Sequence, residues 1–242
     1  MMMKKIIQLG VAGMSAALLL TGCQFVQAGD TKSEKEFVER DKADSLTVDI
    51  ELGIGQLNVS KGTDDWFEGE FKYDHSKLKP VVDYNLKGNQ GHLHISQERK
   101  KFNFGFGKEN HTRWDLQLNE NIPTELDIDT GVSDSDINLS GMTLEDLDID
   151  TGVGDVTIDL SGDWKESFNV SIDSGVGDTT IYIPKEIGVK LSADKGVGEI
   201  TVKDLIVKDD HTYVNKAYED GADVVMEIDA DLGVGDIVVT MK

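Results

Sequence analysis

Apolar and polar residues alternate with a period of two through much of this chain, and the alternation keeps being interrupted by one short glycine turn. Leu46, Val48 and Ile50 lead into Gly53-Ile54-Gly55, and Leu57 and Val59 carry the alternation out again. Five more segments do the same around Gly131, Gly152, Gly175, Gly196 and Gly233, in the form Gly-Val-Gly-Asp or close to it. A period of two puts the apolar set on one strand face, so each segment predicts strand, turn, strand. Aligned on the opening glycine, the residue five positions earlier is Val48, Leu126, Leu147, Val170, Leu191 or Ile228. Three earlier stands Ile50, Ile128, Ile149, Ile172, Ala193 or Ala230, and six later Val59, Ile137, Ile158, Ile181, Val202 or Val239.

From Gly131 to Gly196 the turns recur at steps of 21, 23 and 21 residues, as expected when one coil of chain stacks on the next. Stacking turns the columns into ladders of aliphatic side chains. The apex residues Ile54, Val132, Val153, Val176, Val197 and Val234 are expected to plug the corner, and the opening glycines to supply positive φ. The predicted fold is all-β: an elongated right-handed β-solenoid-like repeat over 122–242, with coils of about 21 residues, preceded by a small antiparallel β element. The pattern leaves open whether the repeats stack in parallel or form antiparallel hairpins.

The stretch from Lys61 to Asn121 lacks the glycine motif and holds most of the aromatic residues, among them Trp66, Phe67, Phe71, Tyr73, Tyr84 and Trp114. Phe67 to Tyr73 and His92 to Gln97 alternate, and Lys87-Gly88-Asn89-Gln90-Gly91 suits a turn, which places an N-terminal β domain at 46–121. Phe102 to Lys108 reads either as an exposed aromatic docking loop or as a strand end closing the core. The step from Gly196 to Gly233 is 37 residues, and the added segment, including His211 to Asp220, is a candidate partner loop.

The first residues have the layout of a secretory signal peptide: Lys4 and Lys5, an uncharged apolar run from Ile6 to Leu20, then Leu20-Thr21-Gly22-Cys23. The run is shorter than the roughly 20 residues that span a bilayer. Its end resembles the lipobox of bacterial lipoproteins, which implies cleavage before Cys23 and lipidation of its sulfur. Two acyl chains hold a protein durably on a membrane where one does so only marginally. The expected mature chain, Cys23 to Lys242, thus sits on the extracytoplasmic face of the cell membrane, with the polar residues 23–45 as a flexible tether. Cys23 is the only cysteine, so no intrachain disulfide can form.

The formal net charge of −22 argues against nucleic acid, which needs positive charge to displace counterions. Two carboxylate columns flank the turn. Glu51, Asp129, Asp150, Asp173, Asp194 and Asp231 stand two before the glycine, and Gln56, Asp134, Asp155, Asp178, Glu199 and Asp236 three after it. Stacked about 4.8 Å apart, such groups either cap turns or recruit a cation. Asp150, Asp155, Asp173 and Asp178 are the candidate ligands, and calcium the candidate ion, although glycine-rich calcium solenoids use a nine-residue repeat. Phosphate cradling is disfavoured because strands, not helices, follow the turns. The five histidines are scattered, with only His92 and His94 sharing a strand face, and a repeat of equivalent aspartates offers no distinguished pair for glycan cleavage.

The repeat Leu147-Asp-Ile-Asp-Thr-Gly-Val-Gly-Asp-Val-Thr-Ile-Asp-Leu160 resembles the toast-rack domain of bacterial cell-envelope proteins, related to domains in Lia-type envelope-stress regulators. Trp66-Phe-Glu-Gly-Glu-Phe-Lys-Tyr73 with Val81-Val-Asp-Tyr84 is similar to the domain that precedes it in that family. The resemblance implies an all-β, non-enzymatic module with no catalytic residues to carry over. The expected role is a lipid-anchored interaction platform in envelope-stress sensing or regulation, contacting an envelope membrane protein or cell-wall polymer. The alternative is a calcium-stabilised adhesin binding a surface or polysaccharide.

Overall fold

Alternation became strand nearly everywhere it was read. The computed structural model of the chain describes residues 31–97 and 112–242, and its strands form one seventeen-stranded open sheet. The first six are β1 (Lys32–Val38), β2 (Ser45–Lys61), β3 (Phe67–Tyr73), β4 (Pro80–Lys87), β5 (Gln90–Gln97) and β6 (Arg113–Leu118). Next come β7 (Thr124–Asn138), β8 (Leu144–Val153), β9 (Val156–Asp159), β10 (Phe168–Val176), β11 (Thr179–Ile183), β12 (Gly188–Val197) and β13 (Ile200–Lys203). The chain ends with β14 (Ile206–Val207), β15 (Thr212–Val214), the short helix α1 (Lys216–Glu219), β16 (Val225–Val234) and β17 (Ile237–Met241).

Each glycine motif is the corner of a two-armed unit, and the units stack in parallel. β2 pairs with β7, β7 with β8 and β9, and β8/β9 with β10/β11, always with glycine opposite the equivalent part of the next motif. Inward side chains of both arms meet in a single core. Val48, Ile50, Leu126, Ile128, Leu147, Ile149, Val170 and Ile172 from the first arms, with Val59, Ile137, Ile158, Ile181 and Val239 from the second, are all buried. In-register stacking places like residues over like, so each aliphatic column is a continuous ladder.

The stacking order differs from the chain order. β10 and β11 do not pair with β12 and β13, which follow them in sequence; both pairs instead flank β16 and β17. The last unit of the chain is thus inserted between the fourth and fifth. Residues 204–224 make this possible by carrying the chain back across the end of the stack. They also close it: β15 runs antiparallel along the outer edge of β12. Asn215, fully buried, accepts from the Val189 and Tyr218 amides and donates to the Ile187 carbonyl, pinning the crossover. The expected partner loop is therefore largely an end cap.

At the opposite end β5 and β6 lie parallel to the two arms of β2, as a further unit would. Their connecting segment, 98–111, lies outside the described residues, as do Cys23, the expected signal peptide and the expected aromatic loop Phe102 to Lys108. β4 and β3 then add antiparallel to β5 and β6. A ladder from Leu46↔Thr124 to Val59↔Ile137 crosses the expected boundary at 121/122, so cap and repeat share one sheet.

The tether expectation fails over residues 32–45. β1 pairs with β3 along its whole length, Val38 and Ala43 are buried, and Asp41 accepts from Trp66 Nε1 at 3.0 Å and Tyr84 Oη at 2.9 Å. The polar sequence Lys-Ser-Glu-Lys-Glu-Phe-Val hid this strand because a β3 edge offers backbone partners whatever the side chains.

Candidate functional site

The corner of each unit carries three parallel rows of side chains. At its apex stand Ile54, Val132, Val153, Val176, Val234 and Val197, paired in that spatial order. These residues do not plug the corner. The five valines are 46–66% exposed and form a continuous apolar ridge. The reason is a change of phase: Thr151 points inward, Gly152, Val153 and Asp155 outward, and Val156 inward again. In the units of Gly131, Gly152 and Gly175 the inner corner is filled instead by hydroxyl residues, and in those of Gly53 and Gly233 by Leu52 and Leu232. Thr151 Oγ1 donates to Ser174 Oγ at 3.1 Å, Thr179 Oγ1 reaches the same oxygen at 3.2 Å, and Ser133 and Ser135 pair at 3.2 Å. Sequence reasoning passed over this ladder, although its signal, a Thr or Ser just before the glycine in three units, was present.

The two glycines of the motif have different tasks. Positive φ belongs to the second, with Gly154 at +133° and Gly177 at +142°, rather than to the opening glycine as expected. The opening glycine has no such φ, yet a Cβ on Gly152 would collide with the Gly131 carbonyl oxygen of the neighbouring unit. It is needed for close stacking.

On one flank of the ridge runs Glu51, Asp129, Asp150, Asp173, Asp231 and Asp194, again in register, and the five aspartates line a shallow groove with Thr130, Thr151 and Ser174. Partial burial, and then the charges of Asp148, Asp173 and Asp129, raises the Asp150 pKa above the ordinary carboxylate value. Asp231 is raised likewise, by burial first and then by Asp229, Asp173 and Asp194. On the other flank the carboxylates are occupied. Asp155 Oδ1 accepts the Asp178 amide at 2.9 Å, Asp178 Oδ1 the Asp236 amide at 3.0 Å, and Asp236 Oδ1 the Glu199 amide at 2.8 Å. Each caps the corner of the next unit.

The candidate cation ligands are therefore brought together only in part. Asp150 lies beside Asp173 and Asp155 beside Asp178, but the two pairs flank opposite sides of the ridge, and the second pair is committed to backbone amides. Among the described residues no group of three or more His, Cys, Asp or Glu converges as a metal cage requires. His92 and His94 share β5, and His94 Nδ1 stands 3.9 Å from Asp49 Oδ2. No helix among the described residues is long and apolar enough to cross a membrane.

Comparison with known proteins agrees with this geometry. Residues 27–182 match the model of the N-terminal domain of toast_rack, and residues 132–239 the model described as cell wall-active antibiotics response LiaF, C-terminal. A candidate cell adhesion protein of Clostridium sporogenes, solved as a crystal structure, is 34% identical, with a TM-score of 0.85 over 88% of this chain and 100% of its own. A candidate adhesin of Bacteroides fragilis is 13% identical over 87% of this chain and 98% of its own, and its TM-score of 0.33 is too low to bear on the fold. No curated protein matches the chain.

Proposed function

Because the chain belongs to the toast-rack family, we propose that it is a non-enzymatic, lipid-anchored platform of the bacterial cell envelope that binds a partner during envelope-stress sensing or regulation. The observation that carries this reading is the match of residues 132–239 to the LiaF C-terminal model, which covers the very units that build the exposed ridge. A regular array of equivalent corners suits an extended recognition surface better than a catalytic pocket, since it singles out no residue for chemistry. In the same reading the units are coils of a right-handed solenoid, the hand that parallel strands joined by crossovers adopt. Cys23, lipidated, holds the protein on the extracytoplasmic face of the membrane.

Crosslinking of the protein in its native membrane, with Cys23→Ala as the unanchored control, tests the proposal. Recovery of a specific envelope protein that disappears in the control is the expected result. Recovery of wall polymer alone would instead favour a second reading, an adhesin for a surface or polysaccharide, which the description of the Clostridium sporogenes relative supports. A melting transition raised by calcium beyond what magnesium achieves, together with retention on immobilised glycan, would carry that second reading.

A further inference from the structure

We propose that the valine ridge docks a basic amphipathic helix of a partner protein, lying along the stacking axis across Val132, Val153, Val176 and Val234. This rests on the platform reading and names its surface and the chemistry of its partner. Single exposed valines are ordinary on a protein surface, whereas a contiguous row is a recognition feature. Here the row is continuous because the valines pair in register, each at least 46% exposed.

Charge fixes the partner's character. Asp129, Asp150, Asp173 and Asp231 run along one flank of these four valines, and Asp134, Asp155, Asp178 and Asp236 along the other. A segment seated on the ridge must therefore present an aliphatic stripe with Lys or Arg on both sides. Among the described residues that line the ridge and its grooves, cations stand at the ends of the acidic stretch. Lys72 and Arg113 line the surface beside Ile54 and Val132, and Lys195 lines the groove at the last unit. They delimit the footprint to the four central units.

Spacing selects a helix over an extended strand. Stacked units repeat every 4.8 Å or so, close to the roughly 5.4 Å pitch of an α-helix, so residues at i, i+3/i+4 and i+7 follow successive valines. Same-face residues of a strand laid along the axis recur at about 6.7 Å and lose register within two units. Three unit steps cover about 14 Å, or roughly ten helical residues.

The test uses the full chain in detergent and a fluorescein-labelled Leu/Lys peptide of about fourteen residues, designed as an amphipathic helix. Its control is a scrambled peptide of the same composition. Anisotropy titration is expected to show the ordered peptide binding about tenfold or more tightly than the scrambled one, with affinity falling as salt rises. Val153→Thr with Val176→Thr keeps shape and strand preference, and is expected to abolish that advantage while leaving the circular dichroism spectrum unchanged. Absence of binding, equal binding of both peptides, or indifference to the threonine pair would overturn the proposal. If a membrane partner is still recovered by crosslinking in that case, the platform reading stands and the ridge is not its docking surface.

Discussion

At the residue scale, the glycine motif is two constraints of different origin, and they separate experimentally. Gly152→Ala places a methyl against the Gly131 carbonyl, while Gly177→Ala combines a clash on the Gly154 carbonyl with a φ of +142°. Overpacking of this kind costs about 1–3 kcal/mol, and a φ in the region open essentially to glycine alone adds about 1–3 kcal/mol. Both substitutions are expected to lower the midpoint of urea denaturation, Gly177→Ala the more. The carboxylate columns should separate just as clearly. Asp178→Ala removes the cap on the Asp236 amide and should cost about 1 kcal/mol, whereas Asp173→Ala removes a like charge between Asp150 and Asp231 and should be neutral or stabilising. Equal losses in both columns would contradict the different roles assigned to them.

At the scale of elements, the placement of the last unit has consequences. β16 and β17 fill a slot between β10/β11 and β12/β13, so truncation after Asp223 would expose unpaired ladders on both sides of the gap. Unpaired edges of buried parallel strands template association. The truncated chain is expected to lose its cooperative transition and to aggregate in size-exclusion chromatography, whereas removal of the true edge strand β1 should leave a soluble, cooperatively folding protein. The crossover that permits the insertion depends on Asn215, whose loss leaves the Val189 and Tyr218 amides and the Ile187 carbonyl unmatched. Asn215→Ala is expected to cost about 2–4 kcal/mol in thermal or denaturant unfolding, more than a surface substitution on the same segment.

At the scale of the whole molecule, charge governs stability as well as recognition. Asp127, Asp146, Asp150 and Asp231 have pKa values raised in the fold, by burial first and by neighbouring carboxylates second. The folded chain takes up these protons before the unfolded chain does, so stability should rise as pH falls from neutrality toward about 4. Other carboxylates act in the opposite sense. Glu70 is lowered chiefly by its hydrogen bond from Lys72; burial alone would raise Asp41 and Asp159, but hydrogen bonds from Trp66, Ala43 and Tyr84, and from Lys242 and Ser161, outweigh it. Their contribution is present above the ordinary carboxylate pKa and is lost as pH drops through the lower folded values. A melting temperature that peaks in mild acid and falls below about pH 4 is the expected profile. Added sodium chloride should raise the neutral-pH melting temperature by screening the in-register carboxylates.

Strand identity, the aliphatic ladders and the recurrence of the corner were legible in the chain because a period of two and a repeated turn are local properties. The rows themselves were legible for the same reason, since residues at equal offsets from the glycine stack when the units do. What the rows face was a different matter. The apex valines point outward because the five-residue corner shifts the phase and Thr151, Ser174 and Thr179 already occupy its inner side, a competition visible only once both arms are in place. The strand at 32–38 escaped notice because it is held by the backbone of β3 rather than by an apolar pattern of its own. Order along the stack was likewise beyond local reading: consecutive repeats look equally compatible, and the tertiary structure alone seats β16 and β17 between β10/β11 and β12/β13, where Leu232, Ile237 and Val239 are buried, while the unit left at the end carries the exposed Lys195 and the half-buried Ile200 and Val202.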